Sequence, residues 1–199
     1  MTQTEENSRR LLQSLLVSLN GVTSEPLAWA GPYFGEGSAA HSLEVLERCE
    51  ALLMGRRTYD VFSRQWPSAP GPYAARLNAM PKYVFSSTLE EPRWNNTTVI
   101  GEDPVKAVTQ LKRHPGQDLI VYGHGRFGQT LCDAGLVDEL TMTVVPVFTD
   151  GTPLYRPGRT PQAWELLTAG PGKDPWLVSL TYRPAPSREE TNAFDGGGR

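Results

Sequence analysis

The chain has 199 residues, 39% of them apolar and 21% charged, with a net charge of -3 and a pI near 5.7. This length can bury a sizeable core as one domain. The mild acidity argues against a nucleic-acid groove, which needs a basic excess, and no apolar run approaches the roughly 20 residues of a membrane-spanning helix. Residues 1–10 are polar and mixed in charge, without a secretory pattern, so they read as an N-terminal extension and the expected location is cytoplasmic. The two cysteines, Cys49 and Cys132, read as reduced thiols in or near the core. His41, His114 and His124 show no metal-ligand spacing, so no metal site is expected.

In chain order, Leu11 to Leu19 is an apolar run closed by Asn20-Gly21, which predicts a buried first strand and a turn. Residues 22–38, rich in glycine, proline and aromatics, read as an irregular loop of the kind that covers sites. A helix is expected over 39–50, a strand over 51–54, and a second helix opening at Gly55-Arg56-Arg57-Thr58. A short helical piece, 73–78, precedes a strand over 82–85 that ends in Ser86-Ser87-Thr88. Another strand, 97–100, leads to Asp103-Pro104, an N-cap with a first-turn proline, and to a helix reaching Arg113. The strand 118–122 then breaks into Gly123-x-Gly125-x-x-Gly128, with a helical segment expected over 129–134. Strands over 139–145, 164–168 and 176–182 follow without strong helix between them, which suggests an antiparallel edge. The earlier alternation of strands and helices implies a largely parallel sheet covered on both faces. Residues 184–199 lack a packing face and read as a mobile tail.

The glycine motif matches the dinucleotide fingerprint in letters, since glycines let the backbone close on a pyrophosphate at a helix N-terminus. The usual fold, however, begins with that motif and places an acid at the end of the next strand to hold the ribose. Here the motif comes late, and Asp138 and Glu139 lie at the wrong end of the next strand. Two further polar strand ends stand out. Gly55, Arg56, Arg57 and Thr58 can serve phosphate oxygens through N–H groups, guanidinium and hydroxyl, and Ser86, Ser87 and Thr88 can do so through hydroxyls. Ligands bind at the carboxyl ends of strands in such sheets, so three polar ends on one sheet carry more weight than any one alone.

The ordered segments 17–21, 53–59, 81–86, 118–127 and 136–140 make residues 11–183 resemble the dihydrofolate-reductase-like family. The nearest branch is the C-terminal reductase domain of bacterial riboflavin biosynthesis, in its stand-alone form. The resemblance implies a three-layer α/β fold with a central mixed, mostly parallel sheet of about eight strands and helices on both faces. It implies an NADPH site along the carboxyl edge, with NADH as the alternative. Gly55, Arg56, Arg57 and Thr58 would hold the pyrophosphate region, and Ser86, Ser87 and Thr88 would face the adenosine 2′-phosphate. Gly123, His124, Gly125, Arg126 and Phe127 would close the cradle from the other flank. Relatives commonly carry Asp at position 20 and a basic residue at position 87, where this chain has Asn20 and Ser87. An amide cannot ionise, and a missing cation weakens selection of the extra phosphate.

Asn20, Trp29, Tyr33, Glu44 and Tyr59 are the candidates for contact with a small, flat, unsaturated substrate, and no proton donor is singled out. The leading expectation is an NADPH-dependent reductase acting on such a compound. The alternatives are a non-catalytic nucleotide-binding protein on the same fold and a riboflavin-pathway pyrimidine reductase. A homodimer is implied by the resemblance.

Overall fold

The computed structural model describes residues 8–154 and 162–185; the expected tail beyond position 185 lies outside them. Eight strands form one sheet in the order β4-β3-β2-β5-β1-β6-β8-β7. They are β1 (Leu11–Ser18), β2 (Cys49–Gly55), β3 (Lys82–Phe85), β4 (Thr97–Ile100), β5 (Asp118–Tyr122), β6 (Glu139–Val145), β7 (Trp164–Pro171) and β8 (Val178–Pro184). The six strands from β4 to β6 are parallel, while β8 pairs antiparallel with both β6 and β7. The antiparallel edge expected over three consecutive strands is thus narrower. β6 follows a helix and joins β1 in parallel, and β8 inserts between β6 and β7.

The core is two apolar layers, one on each side of the sheet, set by alternation along the strands. Leu11, Leu15 and Val17 of β1 face one layer with Leu119 and Val121 of β5, and Leu12 and Ile120 face the other. The first layer is covered by α5 (Pro104–Arg113) through Val108 and by α6 (Arg126–Asp133) through Leu131 and Cys132. The second is covered by α2 (Glu36–Glu47), α3 (Arg56–Gln65) and α4 (Pro72–Ala79), through Leu46, Tyr59 and Leu77. A third, smaller cluster binds the segment after β1 to the sheet. Residues 22–38 are more ordered than the composition suggests: they contain α1 (Pro26–Trp29) and a 3-10 turn (Gly31–Tyr33), and Trp29 and Tyr33 pack against the cluster of Ala30, Val145 and Leu177.

Several boundaries move for identifiable reasons. Helix α2 starts at Glu36 because Asp174, in the turn between β7 and β8, accepts the N–H groups of Gly35 at 2.8 Å and Ser38 at 3.0 Å. A carboxylate from elsewhere in the chain therefore caps this helix, a contact that local sequence cannot reveal. Hydrogen bonds, first from the Ser38 side chain and then from these backbone groups, hold the Asp174 carboxyl below its usual range. Trp176, expected in the last strand, lies before it and is exposed. In the expected N-terminal extension, Arg9 pairs with Glu50 at 3.1 Å and Arg10 with Glu139 at 2.7 Å.

Lys82 opens β3 and is fully buried. Its Nζ donates to the carbonyls of Asn78, Met80 and Asn95 at 2.8–3.1 Å and lies 4.4 Å from the centre of the Trp94 ring. Burial pushes its pKa down from 10.5 to about 8. Below pH 8 both folded and unfolded chains hold this proton. Between pH 8 and 10.5 the folded chain releases it while the unfolded chain keeps it, so stability from this group rises with pH. Compared by urea unfolding with Lys82→Met, the wild type should gain by up to roughly 3 kcal/mol across that window. A difference that stays flat with pH would contradict the assignment.

Candidate functional site

β2 and β5 are neighbours, and the helices that follow them leave on opposite faces of the sheet: α3 on the face of Tyr59, α6 on the face of Leu131. Loops that part in this way from adjacent parallel strands open a crevice at the carboxyl edge, where open α/β sheets take their ligands. Gly55 forms the bend on one side and Gly123 to Gly125 the bend on the other. The two loops are in register. A Cβ on Gly55 would lie 3.1 Å from Cβ of Phe127, and one on Gly123 would lie 4.0 Å from Oγ1 of Thr58. Gly123 has φ +85°, a left-handed conformation that favours glycine. The expected helix over 129–134 in fact begins at Arg126, so Gly125 is the N-cap and Gly128 lies inside the first turn.

Both helices begin uncapped. Neither Gly55 nor Gly125 offers a side-chain hydrogen bond, and neither first turn contains an acid. Arg56 and Arg57 occupy the first turn of α3, and Arg126 that of α6. A cation there opposes the helix dipole, and the first N–H groups have no partner within the helix. Two other helices show the ordinary solution. Asp103 caps α5 through the N–H groups of Val105 and Lys106, and Asp174 fills the start of α2.

The charge of Arg56 is met locally. Its Nε lies 2.8 and 3.0 Å from the two carboxylate oxygens of Asp60, and its Nη1 reaches Oγ1 of Thr88 at 3.4 Å. Arg57 and Arg126 are exposed and make no side-chain hydrogen bond or ion pair with the described residues. The Ser86 hydroxyl accepts the N–H groups of Thr88 and Leu89, which folds the loop after β3 into a tight turn, and Ser87 is exposed. Phe85 stacks on Phe127 with ring centres 4.4 Å apart, so the Phe127 ring packs between loops while its backbone opens α6. The structure therefore gathers Gly55 to Thr58, Ser86 to Thr88 and Gly123 to Phe127 along one edge.

The expected substrate contacts do not converge in the same way. Both ends of the Asn20 amide are engaged with the backbone of Thr149: Nδ2 donates to its carbonyl at 2.9 Å and Oδ1 accepts its N–H at 3.2 Å. Trp29 donates to the Ser24 carbonyl and, with Tyr33, staples its segment to the sheet. Glu44 is exposed on α2, 3.4 Å from Nδ1 of His41 one turn away. Tyr59 departs furthest from expectation. It is buried in the core, and its hydroxyl accepts the N–H groups of Arg93 and Trp94 at 2.7 and 3.2 Å. The strand–helix bend that carries Gly55 turns this side chain inward. At the opposite edge of the sheet, Asp138 accepts Leu11 N–H and Lys112 Nζ, both at 2.6 Å, far from any ribose-binding position.

One buried residue at the site escaped the pattern reading. Gln13, in the middle of β1, donates through Nε2 to the Gly123 carbonyl at 2.7 Å and lies 3.2 Å from Nδ1 of His124. Its Oε1 accepts the Cys132 thiol at 2.9 Å. The signal was present as the lone amide on the inward face shared by Leu11, Leu15 and Val17.

Residues 11–170 match the model of the RibD C-terminal domain. The chain belongs to that family. Among curated proteins it is similar to the uncharacterized protein YyaP of Bacillus subtilis (strain 168), with 30% identity over 118 residues, 56% of this chain and 62% of that protein. The chain thus spans less than two thirds of that relative. It is also similar to YwjB of the same organism, likewise uncharacterized, at 24% identity over 74% of this chain and 83% of that one. Solved structures show the same fold. A pyrimidine reductase-like protein of Corynebacterium diphtheriae aligns with a TM-score of 0.62 at 12% identity, covering 94% of this chain and 96% of that one. RibD of Acinetobacter baumannii aligns with a TM-score of 0.63 at 14% identity, covering 90% of this chain and 59% of that one. The RibD-like domain thus accounts for the eight-stranded sheet.

Proposed function

We propose that this RibD C-terminal family member is an NADPH-dependent reductase of a small unsaturated, heterocyclic or imine-like compound. The observation that carries the reading is the pair of uncapped helix N-termini, α3 and α6, whose first turns carry Arg57 and Arg126, neither paired with any of the described residues. Free N–H groups, positive dipole ends and guanidinium groups together suit the pyrophosphate of a dinucleotide. When bound, the nicotinamide supplies the hydride, and the protein contributes orientation, polarity and exclusion of water.

The residues divide that work. Gly55 to Thr58 and Gly123 to Phe127 hold the pyrophosphate from two flanks. Ser86, Ser87 and Thr88 take the adenosine 2′-phosphate, with Arg56 reaching Thr88 beside them. NADPH is the cofactor of this reading and NADH its alternative. Because Asn20 cannot ionise and is engaged with Thr149, the proton that accompanies the hydride comes from solvent. The open apolar face formed by Leu166, Val178 and their neighbours on β6 and β8 is the surface on which two copies pair.

Titration of the full chain with NADPH should quench tryptophan fluorescence at micromolar concentration, and sedimentation of the same sample should give twice the 22.0 kDa chain mass. A chain whose fluorescence and melting temperature respond to neither NADPH nor NADH would refute the cofactor assignment. The state of Asn20 favours one second reading, a nucleotide-binding protein without catalysis. It would be supported by NADPH binding without NADPH oxidation over a panel of pterins, pyrimidines and imines.

A further inference from the structure

Gln13 is 1% exposed, on a strand whose other inward residues are aliphatic. Burying a carboxamide is costly unless each of its polar atoms finds a partner. Here they all do, and the partners fix which way the amide faces. The Gly123 carbonyl can only accept, so the nitrogen of Gln13 must face it. That same nitrogen faces Nδ1 of His124, and the oxygen faces the Cys132 thiol. An amide nitrogen can only donate, so Nδ1 must accept, and the ring hydrogen must sit on Nε2. Protonating the ring would set one N–H against another.

The surrounding chain makes room for this arrangement. A Cβ on Gly128 would lie 2.5 Å from Nε2 of Gln13 and 2.9 Å from the Gly123 carbonyl, so the amide fits only because that position is glycine. The third glycine of the motif thus leaves space for a side chain of this protein rather than for a ligand.

We propose that Gln13 is a positioning residue that holds His124 as the neutral Nε2–H tautomer and so fixes the Gly123 to Gly125 loop for its ligand. The loop then carries its positive charge on Arg126 alone, and its affinity for a dinucleotide does not follow the titration of an imidazole. The second part rests on the reading of the crevice as a dinucleotide site, whereas the tautomer does not. Other charged or titratable groups on the elements around the loop are Asp118 and Tyr122 on β5, Arg56, Arg57, Tyr59, Asp60 and Arg64 on α3, and Arg126, Cys132 and Asp133 on α6. All of them are retained in the variants below, so the comparison isolates position 13.

The test is nitrogen-15 NMR of the imidazoles in the full chain, with the His124 signals assigned by their loss in His124→Asn. The wild type should show Nδ1 unprotonated, and the His124 titration midpoint should rise in Gln13→Met. It should rise further in Gln13→Glu, where a carboxylate can accept from Nδ1. A residue that merely fills space would lower the melting temperature in these variants without moving the imidazole. A hydrogen on Nδ1 in the wild type, or one common midpoint in all three proteins, would overturn the inference. If the imidazole behaves as stated but NADPH does not bind, the dinucleotide reading fails and the assignment of Gln13 stands.

Discussion

Replacing Arg57 and Arg126 together by alanine should weaken NADPH binding by about two to four orders of magnitude and leave the unliganded protein as stable as before, or more so. A hydrogen bond to a charged group contributes about 1.5–3 kcal/mol, which corresponds to roughly 10- to 100-fold in affinity for each guanidinium lost. In the free protein the same two cations stand against the positive ends of α3 and α6. Removing each relieves an unfavourable interaction of about 0.3–1 kcal/mol. Binding and folding therefore move in opposite directions, a signature that a general structural role does not produce. Calorimetric titration and thermal unfolding of the same samples measure both. Added salt should narrow the affinity gap, because exposed charges are screened. Unchanged affinity in the double variant would remove the main support for the dinucleotide site.

The second large effect concerns Gly128. In the interior of a helix, glycine to alanine ordinarily stabilises by about 1 kcal/mol. At this position the sign should reverse. The added methyl would meet the Gln13 amide at 2.5 Å and the Gly123 carbonyl at 2.9 Å, and the carbonyl is backbone, which cannot swing aside. Moving the amide instead would break its hydrogen bonds to the Gly123 carbonyl and the Cys132 thiol. A buried polar group left unsatisfied costs about 1–3 kcal/mol, so Gly128→Ala should destabilise by roughly 2–4 kcal/mol in chemical denaturation. Gly125→Ala is the informative contrast. Its backbone is extended at φ -72°, and an added Cβ meets nothing within 4 Å, so its stability should stay near that of the wild type. Equal losses at both positions would contradict this account.

The strands were legible where apolar runs are bounded by turn residues. Lys82–Phe85, Thr97–Ile100, Asp118–Tyr122 and Glu139–Val145 begin and end where the pattern places them. So does the Asp103 cap, whose hydrogen bonds are local. What was not legible depends on contacts between distant residues. The start of α2 is set by Asp174, more than 130 positions away, and the neighbours of β8 are set by how a hairpin folds back onto β6. At the site, the clustering of Gly55 to Thr58 with Gly123 to Phe127 followed from strand ends of one parallel sheet. The inward turn of Tyr59 did not, because a residue three positions into a helix can face either way until the helix is docked. Gln13 was hidden for a related reason: a single amide within an apolar run reads as noise until its three partners, all more than 100 positions away, are seen around it.

The uncapped starts of α3 and α6 also bear on how the protein is handled. The features that suit a pyrophosphate, helix N–H groups and guanidiniums without partners among the described residues, do not distinguish it from inorganic phosphate or sulfate. If the crevice binds a dinucleotide as proposed, such anions from a buffer or precipitant would compete for it and raise the melting temperature with the logarithm of their concentration once it exceeds their dissociation constant. Substrate screens and cofactor titrations run in phosphate would therefore understate affinity, and those run in a buffer without a multivalent anion would report it directly.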